Sequence, residues 1–111
     1  MNWLWRKLRQ WIGLRQFVVP VEVEDLPDSL EPNKLYLIGS PTQPWSAAFI
    51  CPCGCRTVIQ LSLIQNDDPR WALSYDESRS ATLHPSIWRL KGCKSHFFVR
   101  RNEIIWTKDR R

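Results

Sequence analysis

A chain of 111 residues, 43% hydrophobic and 24% charged, is long enough for one domain and too apolar for global disorder. No stretch approaches the ~20 consecutive apolar residues of a membrane-spanning helix. Sixteen Lys and Arg against eleven Asp and Glu give a net charge of +5, which invites a nucleic-acid reading, but the excess is local. Residues 1–16 carry Arg6, Lys7, Arg9 and Arg15 and no acid, and the remainder of the chain is nearly neutral.

In that first segment Trp3, Leu4, Leu8, Trp11 and Ile12 fall at helical spacing ahead of Gly13. Residues 1–16 are therefore predicted to form an amphipathic basic helix, and residues 17–111 a separate β domain. Charged residues break every apolar run of the helix, so it is no secretory signal and a cytoplasmic location is expected. A helix of this kind packs on its own domain, or contacts a partner or a membrane surface.

Beyond it the periodicity changes. Residues 17–23 read as a strand confined to an edge by Pro20, and 26–34, with two prolines and acidic residues, as a loop. Strands are expected at 34–38, 45–51, 57–64, 70–75 and 79–83, separated by the breakers GSPTQP, CPCGC, QNDDP and DES. His96–Arg100 and Glu103–Trp106 flank Arg101-Asn102 as a final hairpin. Short strands punctuated by turns predict a mainly β, compact domain, with most of the seven Trp filling its core.

Cys51, Cys53 and Cys55 fall within five residues at the tip of a predicted hairpin, and Cys93 lies three residues before His96. Disulfides do not suit a reducing cytosol, and structural thiols would be scattered rather than gathered on a Pro/Gly turn. A metal explains the clustering, with thiolates on a tight knuckle and a distant second arm closing a tetrahedral Zn2+ site at about 2.3 Å per Zn–S bond. Pro52 stiffens such a knuckle and Gly54 permits its unusual backbone angles. The spacing is also similar to the Rieske pattern, but Cys53 stands where that pattern has a histidine, which makes an iron–sulfur cluster the weaker account. Four thiolates leave no open coordination position, so the metal is expected to be structural. His96 is an alternative to one of the cysteines.

For catalysis, Ser86 with His96 or His84 can supply a nucleophile and a base, and Asp67, Asp68 and Asp76 are candidate orienting acids. Neither a G-x-S-x-G elbow nor an H-E-x-x-H motif is present. Ser86, following Pro85, reads locally as a turn residue. The basic run 89–101, interleaved with Trp88, Phe97 and Phe98, could contact phosphates and bases, but one of the two Phe must face the core, so nucleic-acid binding is the least favoured function.

Taken together, ICPCGCRTVIQLSL, PRWALSY and TLHPSIWRLKGCKSHFFVRRNEIIW resemble a bacterial domain-of-unknown-function family, over roughly residues 45–106. The basic helix lies outside its motifs. The resemblance implies a setting beside Bub-type ubiquitin-like proteins and their activating and conjugating machinery in anti-phage operons. It also implies activity as a serine peptidase that processes or deconjugates the ubiquitin-like protein. Carried onto this chain, it makes Cys51, Cys53, Cys55 and Cys93 the metal-site candidates. Ser86, or Ser95 as the alternative, becomes the nucleophile, and His96 the base. Family sequences often carry a cysteine after the final Trp, whereas Thr107 follows Trp106 here, which raises His96 as a replacement ligand. A metal-bound His96 could not also act as base. The rival expectation is a non-catalytic zinc-binding adaptor that recruits a protein partner.

Overall fold

The computed structural model describes residues 15–40, 42–90 and 92–107. Residues 1–14 of the expected basic helix lie outside the described residues, and Gln16, at its expected end, opens a strand.

Nine strands run in order: β1 (Gln16–Phe17), β2 (Val19–Val23), β3 (Lys34–Ser40), β4 (Gln43–Ile50), β5 (Val58–Ser62), β6 (Ala72–Tyr75), β7 (Ala81–Trp88), β8 (His96–Arg100) and β9 (Glu103–Trp106). They form a four-stranded sheet, β2-β3-β4-β5, and a five-stranded sheet, β1-β9-β8-β7-β6. Alternation of side chains brings Leu35, Leu37, Ala47, Phe49, Ile59 and Leu61 of the first sheet against Ala81, Leu83, Ile87, Phe97, Val99 and Ile104 of the second. Phe49 and Phe97 meet edge to face with centroids 6.0 Å apart, and Trp106 meets Phe97 edge to face at 5.3 Å. The mainly β expectation holds, and no helix occurs among the described residues.

The expected edge strand 17–23 is two strands in two sheets. At Val18, which is buried, the chain crosses over. The Val18 amide donates to Asn102 O at 2.7 Å in one sheet, and the Val19 amide to Asn33 O at 2.9 Å in the other. β2, holding Pro20, then lies at an edge and pairs in parallel with β3.

Three further expectations change. Strand pairing runs into GSPTQP from both sides, to Ser40↔Gln43, so β3 and β4 extend to Ser40 and Gln43. Gly39, at φ +130°, lets the Trp45 ring cross its backbone, where an added Cβ would sit 2.6 Å from Trp45 Cε3. The short strand expected at 79–83 is the eight-residue β7, which continues through HPSIW. Nor do the described Trp fill the core. Trp45 and Trp88 are exposed, and Trp71 and Trp106 are only partly buried against it. A small sandwich closes on aliphatic side chains and Phe, leaving indoles at its margin where their N–H groups find acceptors: Trp106 Nε1 donates to Gln16 Oε1 at 2.7 Å. The Arg101-Asn102 hairpin is present, both residues at positive φ as a tight antiparallel turn requires.

Candidate functional site

Two loops at one end of the sandwich build the thiol cluster. The knuckle between β4 and β5 is closed by the Cys51 amide donating to Thr57 O at 2.8 Å, with Gly54 (φ +98°) and Arg56 (φ +68°) making the reversal. The loop between β7 and β8 turns through Gly92 (φ +70°) and Lys94 (φ +54°) and brings up Cys93. The knuckle belongs to one sheet and Cys93 to the other, so the cluster bridges both.

All four sulfurs lie within 4.8 Å of one another, with Cys51 Sγ 3.5 Å from Cys53 Sγ and 3.6 Å from Cys93 Sγ. Four thiolates at about 2.3 Å around a tetrahedral centre stand about 3.8 Å apart, so the spacing suits a metal ion. Arg89 Nη1 lies 3.4 Å from Cys55 Sγ and 3.3 Å from Cys93 Sγ, placing a fixed positive charge against a group that is dianionic when four thiolates bind a divalent ion. Ser95, the one buried polar residue of the described core, sets its hydroxyl 3.0 Å from Cys93 Sγ and 3.7 Å from Cys51 Sγ.

The thiols are electrostatically unequal. Desolvation pushes the Cys53 thiol up to about 12, while the hydroxyl and amide of Thr57 draw the Cys55 thiol down to about 6. At Cys93 burial works upward, but the Ser95 hydroxyl and amide, with the neighbouring thiols, outweigh it and lower the pKa.

The second constellation lies on the face of the five-stranded sheet turned away from the core. Between the pairs Leu83↔Val99 and Ile87↔Phe97 the register of β7 against β8 shifts, so that His84, Pro85 and Ser86 together oppose Phe98. This bulge projects Ser86, and its Oγ lies 2.9 Å from His96 Nε2. His96 and Trp88 are directly opposite each other. The Arg89 amide donates to Ser95 O at 2.8 Å, which makes Trp88↔His96 a non-hydrogen-bonded pair, the closer of the two antiparallel spacings. Their rings stack at 4.6 Å with planes 4° apart. The Trp71 indole donates to Ser86 O at 3.3 Å, so β7 is held from the side as well.

Of the residues singled out from sequence, the structure brings together the four cysteines with Ser95, and separately Ser86 with His96. His84 is exposed on the bulge. Asp67 accepts from the Ser62 hydroxyl at 2.5 Å, and Asp76 accepts from the amides of Ser78 and Ser80, each in its own turn. Trp88 and Arg89 were singled out only with the basic run weighed for nucleic acid, not for the Ser–His pair or the thiol cluster, and Trp71 was not singled out for either. The signal for Trp88 was its position two residues after Ser86, which in a strand puts both on one face.

The class defined by this fold and these two sites is a small two-sheet β protein with a thiol centre and a Ser–His pair on its outer surface. Residues 22–107 match the family described as bacterial ubiquitination-like system serine protease (BubE), and the chain belongs to that family. It is thus a component of a bacterial ubiquitination-like system. No curated protein and no solved structure matches the chain. No helix among the described residues is long and apolar enough to cross a membrane.

Proposed function

We propose that this protein is a serine peptidase that cleaves at the C-terminus of the ubiquitin-like protein of its system, with Ser86 as nucleophile and His96 as base. The 2.9 Å contact between Ser86 Oγ and His96 Nε2 carries the reading. Ser86 Oγ forms a bond to the scissile carbonyl carbon while His96 Nε2 takes the hydroxyl proton. The tetrahedral adduct then expels the leaving amine, which receives that proton, and the acyl group stays on Ser86. Water, deprotonated by His96, releases the acid and restores the serine. Stacking on Trp88 holds the imidazole plane while it gains and loses the proton.

In the same reading Cys51, Cys53, Cys55 and Cys93 hold a structural zinc ion, which joins the two sheets and fixes the loop from which β8 starts. Ser95, the alternative nucleophile, supports the cysteine sulfurs, while His96, on the next residue of the chain, faces Ser86.

The test is cleavage of a ubiquitin-like protein carrying a C-terminal extension, followed by mass spectrometry. Wild type is expected to cut it, and Ser86→Ala and His96→Ala to lose roughly 10³-fold or more in kcat/KM. Equal cleavage by wild type and Ser86→Ala would remove Ser86 from the mechanism.

A further inference from the structure

The five-stranded sheet is left incomplete beside the Ser–His pair. β6 pairs with β7 only as far as Ala72↔His84. There the chain leaves the sheet edge, and the Trp71 amide donates instead to Ser62 O of the other sheet at 2.8 Å. Residues 86–88 of β7 therefore have β8 on one side and no strand on the other among the described residues.

The direction of the backbone groups follows from the ladder. The amide of Arg89 points to the β8 side, where it donates to Ser95 O just before that strand, and successive residues alternate. Ile87 thus turns its N–H and C=O to β8, while Ser86 and Trp88 turn theirs to the open side. Trp71 Nε1 takes the Ser86 carbonyl, which leaves the N–H and C=O of Trp88 as a complete pairing position unused among the described residues. That position lies two residues from the Ser86 hydroxyl on the same strand. The Trp88 side chain, 57% exposed, stands over it with its ring on His96.

We propose that this edge of β7 is the docking strand for the protein substrate. An extended C-terminal tail adds to the sheet antiparallel to β7, in the direction of β6, and delivers its scissile carbonyl to Ser86. The inference rests on the reading of Ser86 and His96 as nucleophile and base. The occupant is an extended peptide because what the edge offers is one donor and one acceptor at strand spacing, the complement of another strand's backbone. Running antiparallel, the tail passes Trp88 before it reaches Ser86. The tail residue that both donates to and accepts from Trp88 is then two positions before the residue whose carbonyl is attacked. The Trp71 indole on the Ser86 carbonyl and the start of β6 close the edge from Ser86 onward, so the segment after the scissile bond must turn away from the sheet. A short tail or an isopeptide branch can make that turn, whereas a folded domain placed directly after the bond cannot.

The test uses the full chain with Ser86→Ala, so that binding is read without turnover. The probes are twelve-residue peptides spanning the C-terminal tail of the ubiquitin-like protein and a three-residue extension, each with one backbone N-methyl group, titrated by calorimetry. A methyl at the residue paired with Trp88 should weaken binding about 3- to 10-fold, the range of one net backbone hydrogen bond. The next residue points its N–H away from the sheet, and its methylation should leave binding within about twofold. Equal losses at neighbouring positions, or none, overturn the proposal. So does a self-associated protein that binds no peptide, because a second copy then closes the edge. Cleavage of the unmethylated peptide by wild type is measured in parallel. An alternating pattern without cleavage retains the docking edge and removes the peptidase, and cleavage without alternation does the reverse.

Discussion

Removal of the proposed zinc ion should cost this protein a large part of its stability, and the sequence separation of its proposed ligands sets the size of the loss. The cluster joins Cys51, at the end of β4, to Cys93, in the loop before β8, across 42 positions of sequence and between two different sheets. Treated as a cross-link, closure of a loop of that length restricts the unfolded chain by about 4 kcal/mol. Net stabilities of small domains are about 5–15 kcal/mol, so the cross-link alone is a substantial fraction of the whole. At about 4–8 °C per kcal/mol for a domain of this size, Tm should fall by roughly 15–30 °C. The perturbation is made in two independent ways, by a strong chelator on the wild type and by Cys93→Ser, which removes the arm from the second sheet and leaves the knuckle intact. Circular dichroism melts of the purified, chelated and substituted proteins, with elemental analysis expected to show one zinc per chain, measure the effect. Melts that coincide within a few degrees, with no metal lost, would refute the argument and reduce the four cysteines to free thiols.

Gly39→Ala should lower the urea midpoint by the equivalent of about 1–3 kcal/mol, because the new Cβ meets the Trp45 ring at 2.6 Å and the position has φ +130°. An unchanged midpoint would mean that the ring moves aside without loss. The metal-free protein should also become less stable on acidification. Cys55 has a folded pKa drawn from about 9 down to about 6 by Thr57, so its thiolate favours the folded state above pH 9, and that contribution declines as the pH falls through 6. Melts of the chelated protein at pH 6 and pH 9 should show the slope and Thr57→Val should flatten it, whereas a slope unchanged by that substitution would assign it to other groups.

The parts of this molecule that could be read in advance are those encoded by neighbouring residues. CPCGC specifies its knuckle through ring, glycine and thiols within five positions, and Arg101-Asn102 specifies a tight turn by its tolerance of positive φ. The Ser86 and His96 pairing was also within reach, since both sit near the cysteine loop. What escaped depends on distant partners. Pro85 suggested the end of a strand, and only the presence of β8 shows that HPSIW is a bulge within one. Val18 carries no local mark of a sheet crossover, because Asn102 and Asn33, the residues that receive it, are far along the chain. The indoles were assigned inward by size, yet the interior filled without them.

The bulge in β7 contains two residues more than the ladder requires, and two is an even number. Because strand side chains alternate with period two, an even insertion restores parity: Leu83 and Ile87 both face the core, as they would if the strand ran straight from one to the other with a single residue between them. The interior therefore carries no trace of the insertion, whose whole effect falls on the outer surface at His84, Pro85 and Ser86. The segment that carries Ser86 is thus an insertion on the outer surface between two core positions that keep their faces, tied to the rest of the scaffold through the Trp71 indole on the Ser86 carbonyl.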